Sequence, residues 1–125
     1  EGRLLLVEDD ERLRKAAERA LTRLGYDVTT AEDGVAALER IATDPSAWDL
    51  VISDLVMPRM GGDELYETLQ ERGWSIPFLF MSGHPPEAVS GMAGRGSYAF
   101  LEKPWTLETL RRRVGDALDA ERRSA

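Results

Sequence analysis

The chain contains no cysteine and a single histidine among its 125 residues. Disulfides, thiolate metal sites and thiol nucleophiles are therefore excluded. The lone His84, before Pro85 and Pro86, has no second imidazole or thiolate with which to hold a transition metal and reads as an ordinary loop residue. The lack of cysteine fits a reducing compartment, and a cytoplasmic location is expected. Positive charge is also scarce: 16 Lys and Arg against 23 Asp and Glu give a net charge of −7 and a pI near 4.8. Nucleic-acid backbones demand clustered cations, so direct nucleic-acid binding is not expected. No apolar run approaches the ~20 residues of a membrane span, and nothing resembles a signal peptide, so no membrane contact is expected. The Gly-x-x-x-x-Gly-Lys-Ser/Thr phosphate loop is missing, and Gly91, Gly94 and Gly96 have the wrong order for a dinucleotide fingerprint.

What is present is an ordinary globular composition, 42% hydrophobic and 31% charged, at a length that suits one domain over residues 1–125. The start at Glu1 reads as a segment cut from a longer product, or a trimmed form of one. Short apolar runs alternate with helical patterns. The strand candidates are Arg3–Val7, Asp27–Ala31, Leu50–Ser53, Phe78–Met81 and Tyr98–Leu101. Helical spacing covers about Glu11–Leu24, closed by Gly25, and about Gly34–Thr43, capped by Asp33 and stopped before Pro45. Further helices are expected over about Gly62–Arg72 and Leu107–Ala120, with a helical tail at about 119–125. Between them, the segment after Pro85 and Pro86 is a poor helix, because each interior glycine costs about 1 kcal/mol against alanine. Regular βα alternation predicts an α/β fold, a mainly parallel sheet with helices on both faces.

In such sheets the working site lies at the carboxyl ends of the strands. Here those ends carry Glu8-Asp9-Asp10, Asp54, Ser82 and, after the fifth run, Lys103. Crowded carboxylates repel one another, and a hard divalent cation relieves the repulsion. Lysine meets a phosphate as a point charge, and serine offers a hydroxyl donor. Acid, metal, lysine and hydroxyl together can stabilise a transferring phosphoryl group, and a carboxylate can itself be the nucleophile. Taken singly, each residue has a plainer reading. Glu8-Asp9-Asp10 can be a helix cap with first-turn acids, Asp54 a turn acid, and Phe100 and Tyr98 core residues. Asp10 is read as helix-start chemistry only, and the three tryptophans carry no functional expectation.

The stretches Leu4-Leu-Leu-Val7-Glu8-Asp9-Asp10, Ser53-Asp54-Leu-Val-Met57-Pro58-x-Met60-x-Gly62, Phe80-Met81-Ser82-Gly83 and Leu101-Glu102-Lys103-Pro104 occur in order at the ends of strands one, three, four and five. Over essentially its full length the chain resembles the receiver domain of two-component response regulators, in the manner of chemotaxis regulators. The resemblance implies a doubly wound, flavodoxin-like, five-stranded parallel sheet of order 2-1-3-4-5. It implies that Asp54 is the phosphoacceptor and that Asp9, Asp54 and the Val56 backbone carbonyl ligate Mg²⁺ (or Mn²⁺), with Glu8 at the second acidic position, acting through water. It implies that Ser82 bonds the phosphoryl oxygen, that Lys103 pairs with the phosphoryl group, that Phe100 is the aromatic switch and that the Lys103–Pro104 bond is cis.

The expected partners are a histidine kinase or histidine phosphotransfer domain upstream and an unidentified effector downstream. Self-catalysed phosphotransfer with slow autodephosphorylation, not enzymatic turnover, is the expected activity. Met81-Ser82-Gly83 and Leu101-Glu102-Lys103-Pro104-Trp105 look like receivers at the C-terminus of hybrid histidine kinases, with a single-domain regulator as the alternative. Gly83 leaves space beside the acceptor, which would shorten the phosphoryl lifetime. Two competing readings are a phosphorylation-independent binding module and an aspartyl-nucleophile phosphatase. The latter would carry a second acid where Val56 stands.

Overall fold

A computed structural model describes residues 2–57, 59–83 and 98–124, the side chain of Tyr98 and those from Ala120 onward excepted. Five parallel strands, β1 (Arg3–Val7), β2 (Asp27–Ala31), β3 (Leu50–Asp54), β4 (Phe78–Ser82) and β5 (Tyr98–Glu102), form one sheet of order β2-β1-β3-β4-β5. The helices are α1 (Glu11–Arg23), α2 (Gly34–Thr43), α3 (Gly62–Glu71) and α4 (Leu107–Ser124), with a 3₁₀ turn at Pro45–Ala47. Three strands run one residue past their expected ends, which brings Asp54 and Ser82 into the ladder itself. The 3₁₀ turn has no counterpart in the expected elements: Pro45 stops α2, as read, and then starts this turn. The weak helix expected after Pro85, together with His84, lies outside the described residues. The expected C-terminal tail is the continuation of α4.

Side chains alternate across a strand, and the core divides accordingly. Leu5, Val7, Val51, Phe78 and Phe80 point to one face, where Ala37 and Ile41 of α2 and Leu65, Tyr66 and Leu69 of α3 cover them. Leu4, Leu6, Leu50, Ile52, Leu79, Met81 and Leu101 point to the other, beneath Ala17 and Leu21 of α1 and Leu110, Val114 and Leu118 of α4. On the first face the ring of Tyr66 meets Phe78 and Phe80 edge-on at 5.3 and 5.8 Å. Such pairs add to their area burial. Among the described residues no helix is long and apolar enough to cross a membrane.

Helix starts follow the chain chemistry. Asp10 accepts from the Leu13 N–H at the start of α1, and Asp33 accepts from the Ala36 N–H at the start of α2. Gly25, just past α1, has φ +99°, the left-handed conformation that favours glycine there. Gly62 opens α3 against the end of β3, where an added Cβ would lie 2.4 Å from the Asp54 carbonyl oxygen and 2.9 Å from Ser53 Oγ. Gly62→Ala is accordingly expected to cost about 1–3 kcal/mol of unfolding free energy, as overpacking does. Urea denaturation of the two proteins measures it; equal midpoints and slopes would contradict this account of the close approach.

Candidate functional site

Backbone hydrogen bonds carry the sheet one step past its strands and fix the site residues. The Glu8 N–H donates to the Ala31 carbonyl (3.1 Å), the Leu55 N–H to Met81 (3.0 Å) and the Lys103 N–H to Ser82 (2.9 Å). With β3 central and Asp54 in register with Met81, the acids of β1 and the lysine after β5 converge on Asp54. Glu8, Asp9 and Asp54 each offer an oxygen, all within 4.8 Å of one another. Lys103 Nζ lies 3.1 Å from both Glu8 Oε1 and Asp54 Oδ1. Lysine's reach across two strand spacings of about 4.8 Å each makes this contact feasible. The Lys103–Pro104 bond is cis.

Burial and charge oppose each other here. Glu8 is nearly sealed from solvent, with 2% of its side chain exposed, and burial raises its pKa. The Asp10 N–H lowers it, Asp54 raises it further, and Lys103 counters in turn. Burial likewise pushes Asp54 up against the hydrogen bond and charge of Lys103, with Asp9 adding repulsion. Burial works to lower the Lys103 pKa, but the hydrogen bond and charge of Asp54, then Glu8, lift it above its ordinary value. Glu8 and Asp54 thus share one ammonium, with the Asp9 carboxylate beside them. Hard oxygens with no soft ligand among them suit Mg²⁺ or Mn²⁺, which take carboxylates, carbonyls and water. Among the described residues no hydrogen bond ends on the Val56 carbonyl.

The candidate site residues take the following places. Glu8, Asp9, Asp54 and Lys103 meet. Ser82, buried, ends β4 beside them. The acidic triplet divides: Glu8 and Asp9 face Asp54, whereas Asp10 caps α1, as read. Phe100 lies half-buried on the α2–α3 side of the sheet, its ring 5.7 Å from Phe80, packed against the core. At Gly83 an added Cβ would meet no described atom within 4 Å. Trp105, for which nothing was expected, lines a cavity of about 420 Å³ with Glu8, Leu13, Lys103 and Pro104. Its only sequence signal was its place two residues after Lys103. Arg14 was also missed; its Nη1 donates to the Glu8 carbonyl at 2.9 Å. So was Arg59, the one non-glycine residue with positive φ among those described (+67°), whose Nε donates to Asp33 Oδ2 at 2.7 Å.

Sheet order and site define a flavodoxin-like α/β protein with an acid–lysine cluster at its switch point. Similarity to known proteins narrows that class. The response regulator receiver domain family matches residues 4–115. The sensor kinase CckA of Brucella abortus (strain 2308) is 36% identical over 119 residues, 94% of this chain and 13% of that protein. The response regulator MprA of Mycobacterium ulcerans (strain Agy99) is 38% identical over 114 residues, 90% of this chain and 48% of that one. The crystal structure of the receiver domain from the hybrid histidine kinase CckA superposes with a TM-score of 0.79 at 34% identity, over 94% of this chain and 99% of that one. The chain belongs to the response regulator receiver domain family. It spans about half the length of MprA and a small part of CckA.

The charge balance makes a pH-dependent prediction. A carboxyl whose pKa is raised by folding favours the folded state below its unfolded value and loses that advantage as pH rises through the folded one. For Asp54 and Glu8 the loss begins near their ordinary values of 3.8 and 4.5. Lys103→Ala, which leaves both acids without their cation, is expected to lower stability by about 1–3 kcal/mol near neutral pH. The deficit should shrink at acid pH, where both acids are protonated. Urea unfolding at both pH values checks it; a deficit independent of pH would contradict this reading of the cluster.

Proposed function

We propose that this receiver domain is a phosphoacceptor, taking a phosphoryl group onto Asp54 from a phosphohistidine of a histidine kinase or histidine phosphotransfer domain. An Asp54 carboxylate oxygen attacks phosphorus. The phosphorus–nitrogen bond breaks, and the imidazole leaves with the electron pair and takes up a proton. The observation that carries the reading is the convergence of Lys103 and the Glu8 and Asp9 carboxylates on Asp54. Asp9, Asp54 and the Val56 carbonyl would hold Mg²⁺ (or Mn²⁺), with Glu8 acting through water. The cation supplies charge neutralisation at the phosphoryl oxygens. Lys103 pairs with the incoming group, and Ser82 donates its hydroxyl to a phosphoryl oxygen.

The transferred group brings close to two negative charges. Ser82 moves toward it, Phe100 follows along the face it shares with Phe80, and the surface beside β5 changes. This is a shift between two packings, and an effector reads it. A phosphatase reading finds no support: Val56, 67% exposed, stands where its second acid would be. The domain's own chemistry then gives phosphotransfer and slow autodephosphorylation. The similarity to the sensor kinase CckA supports a parent of the hybrid-kinase kind, which would be a histidine kinase, with a single-domain regulator as the alternative.

Incubation with Mg²⁺ and a small acyl phosphate should add the mass of one phosphoryl group, and Asp54→Ala should abolish the gain. An undiminished gain in the variant would overturn the assignment. Without phosphoryl donor, Mg²⁺ at about a hundred times its Kd should raise the unfolding free energy by about 2.7 kcal/mol. Thermal unfolding reads that rise, and Asp9→Ala should remove most of it.

A further inference from the structure

We propose that Arg59 is a positioning residue for the cation site. Paired with Asp33, it fixes the course of the loop after Asp54 and so the oxygen that the loop presents. The proposal rests on the reading of Asp9, Asp54 and the Val56 carbonyl given above.

The left-handed backbone of Arg59, φ +67°, is unfavourable for a long side chain and persists only where the surroundings hold it. What holds it is visible. Both Nε and Nη2 of Arg59 donate to Asp33 Oδ2, the former at 2.7 Å. The Asp33 carboxylate is 8% exposed, so it offers a nearly fixed anchor, and its other oxygen accepts from the Ala36 N–H at 2.9 Å. The Asp33 carboxyl accordingly sits below its ordinary pKa: burial works to raise it, but the Ala36 N–H and Arg59 outweigh that. A second tie runs alongside. The Gly34 N–H donates to the Met60 carbonyl at 3.0 Å, and a Cβ at Gly34 would lie 2.5 Å from that oxygen. The first turn of α2 is therefore pressed against the loop backbone.

The start of the loop is tied to the sheet through the Leu55 N–H to Met81, and the Gly62 N–H closes the loop back onto the Leu55 carbonyl, each 3.0 Å. Between these anchors stands Val56, 67% exposed, whose side chain has little to pack against. Its carbonyl is placed by the two ends of the loop. Arg59 and the Gly34–Met60 hydrogen bond tie the later part of the loop to α2, between its two closures on Leu55. Groups that orient metal ligands from outside the coordination sphere affect cation binding without touching the ion.

The test uses the full chain with Arg59→Ala, Arg59→Gly, Asp33→Asn and the Arg59→Ala/Asp33→Asn double variant. Mg²⁺ is titrated by calorimetry without phosphoryl donor, and the Val56 and Met57 amide resonances are followed. Arg59→Ala is expected to weaken Mg²⁺ binding about tenfold, the lower end of what such outer partners contribute. Asp33→Asn keeps an oxygen for the Ala36 N–H but loses the charge. It should weaken binding similarly, with no further loss in the double variant, as for two residues acting through one contact. Arg59→Gly suits the left-handed backbone but lacks the guanidinium, so it should behave as Arg59→Ala does. Acyl-phosphate labelling should need more Mg²⁺ in each variant yet reach the native rate at saturation.

Thermal unfolding monitors the fold; should Arg59→Ala unfold, Asp33→Asn carries the test. Native affinity in the variants, strictly additive losses, or native affinity restored by Arg59→Gly would overturn the proposal alone. A native chain that takes up no Mg²⁺ would overturn the reading of the site, and this proposal with it.

Discussion

Three carboxylates repel one another where they meet at the carboxyl ends of a buried sheet, and Lys103 is the positive charge set against two of them. The rest of the molecule arranges this encounter. Parallel strands put every carboxyl end on one side, and the order β2-β1-β3-β4-β5 makes β3 central. One backbone hydrogen bond beyond the ladder at Glu8, Leu55 and Lys103 keeps the flanking chain from wandering. The ammonium at 3.1 Å from both Glu8 and Asp54 is thus a product of sheet topology more than of local sequence.

Much of this was legible in the chain. Apolar runs ending in acid located β1 and β3, because a buried strand must be continuously apolar and a charge can sit only where it ends. The Gly25 and Asp33 signals marked helix ends because each answers a definite backbone need, a positive φ in one case and an unpaired N–H in the other. The order of the strands and the roles of the site residues came from resemblance, since alternation alone leaves more than one parallel sheet open. Less legible were features that depend on tertiary approach. Nothing in the local sequence says that Arg59 adopts a left-handed backbone, that Trp105 lines a cavity with Glu8, or that the middle acid of a triplet faces Asp54 while the next caps a helix.

The two halves of the loop after Asp54 differ in kind. Its first residues belong to the sheet and inherit the sheet's rigidity. Its last residues belong to α2, through the Gly34–Met60 hydrogen bond and the Arg59–Asp33 pair. On the proposal made for Arg59, part of the site's preorganisation lies in α2, a helix that contributes no residue to the acid–lysine cluster.

The division of the core by strand parity has a consequence for how such a chain can diverge. Leu5 and Leu6 are neighbours in sequence, yet they serve two interiors that share only peptide backbone. A substitution beneath α1 and α4 reaches the layer beneath α2 and α3 only by bending a strand, so the two layers can drift almost as separate lineages. The layer under α1 and α4 lies behind the Trp105 cavity, and the other carries the Tyr66, Phe78, Phe80 and Phe100 rings. Descendants of one ancestral sheet could therefore exchange one layer's residues while inheriting the other intact.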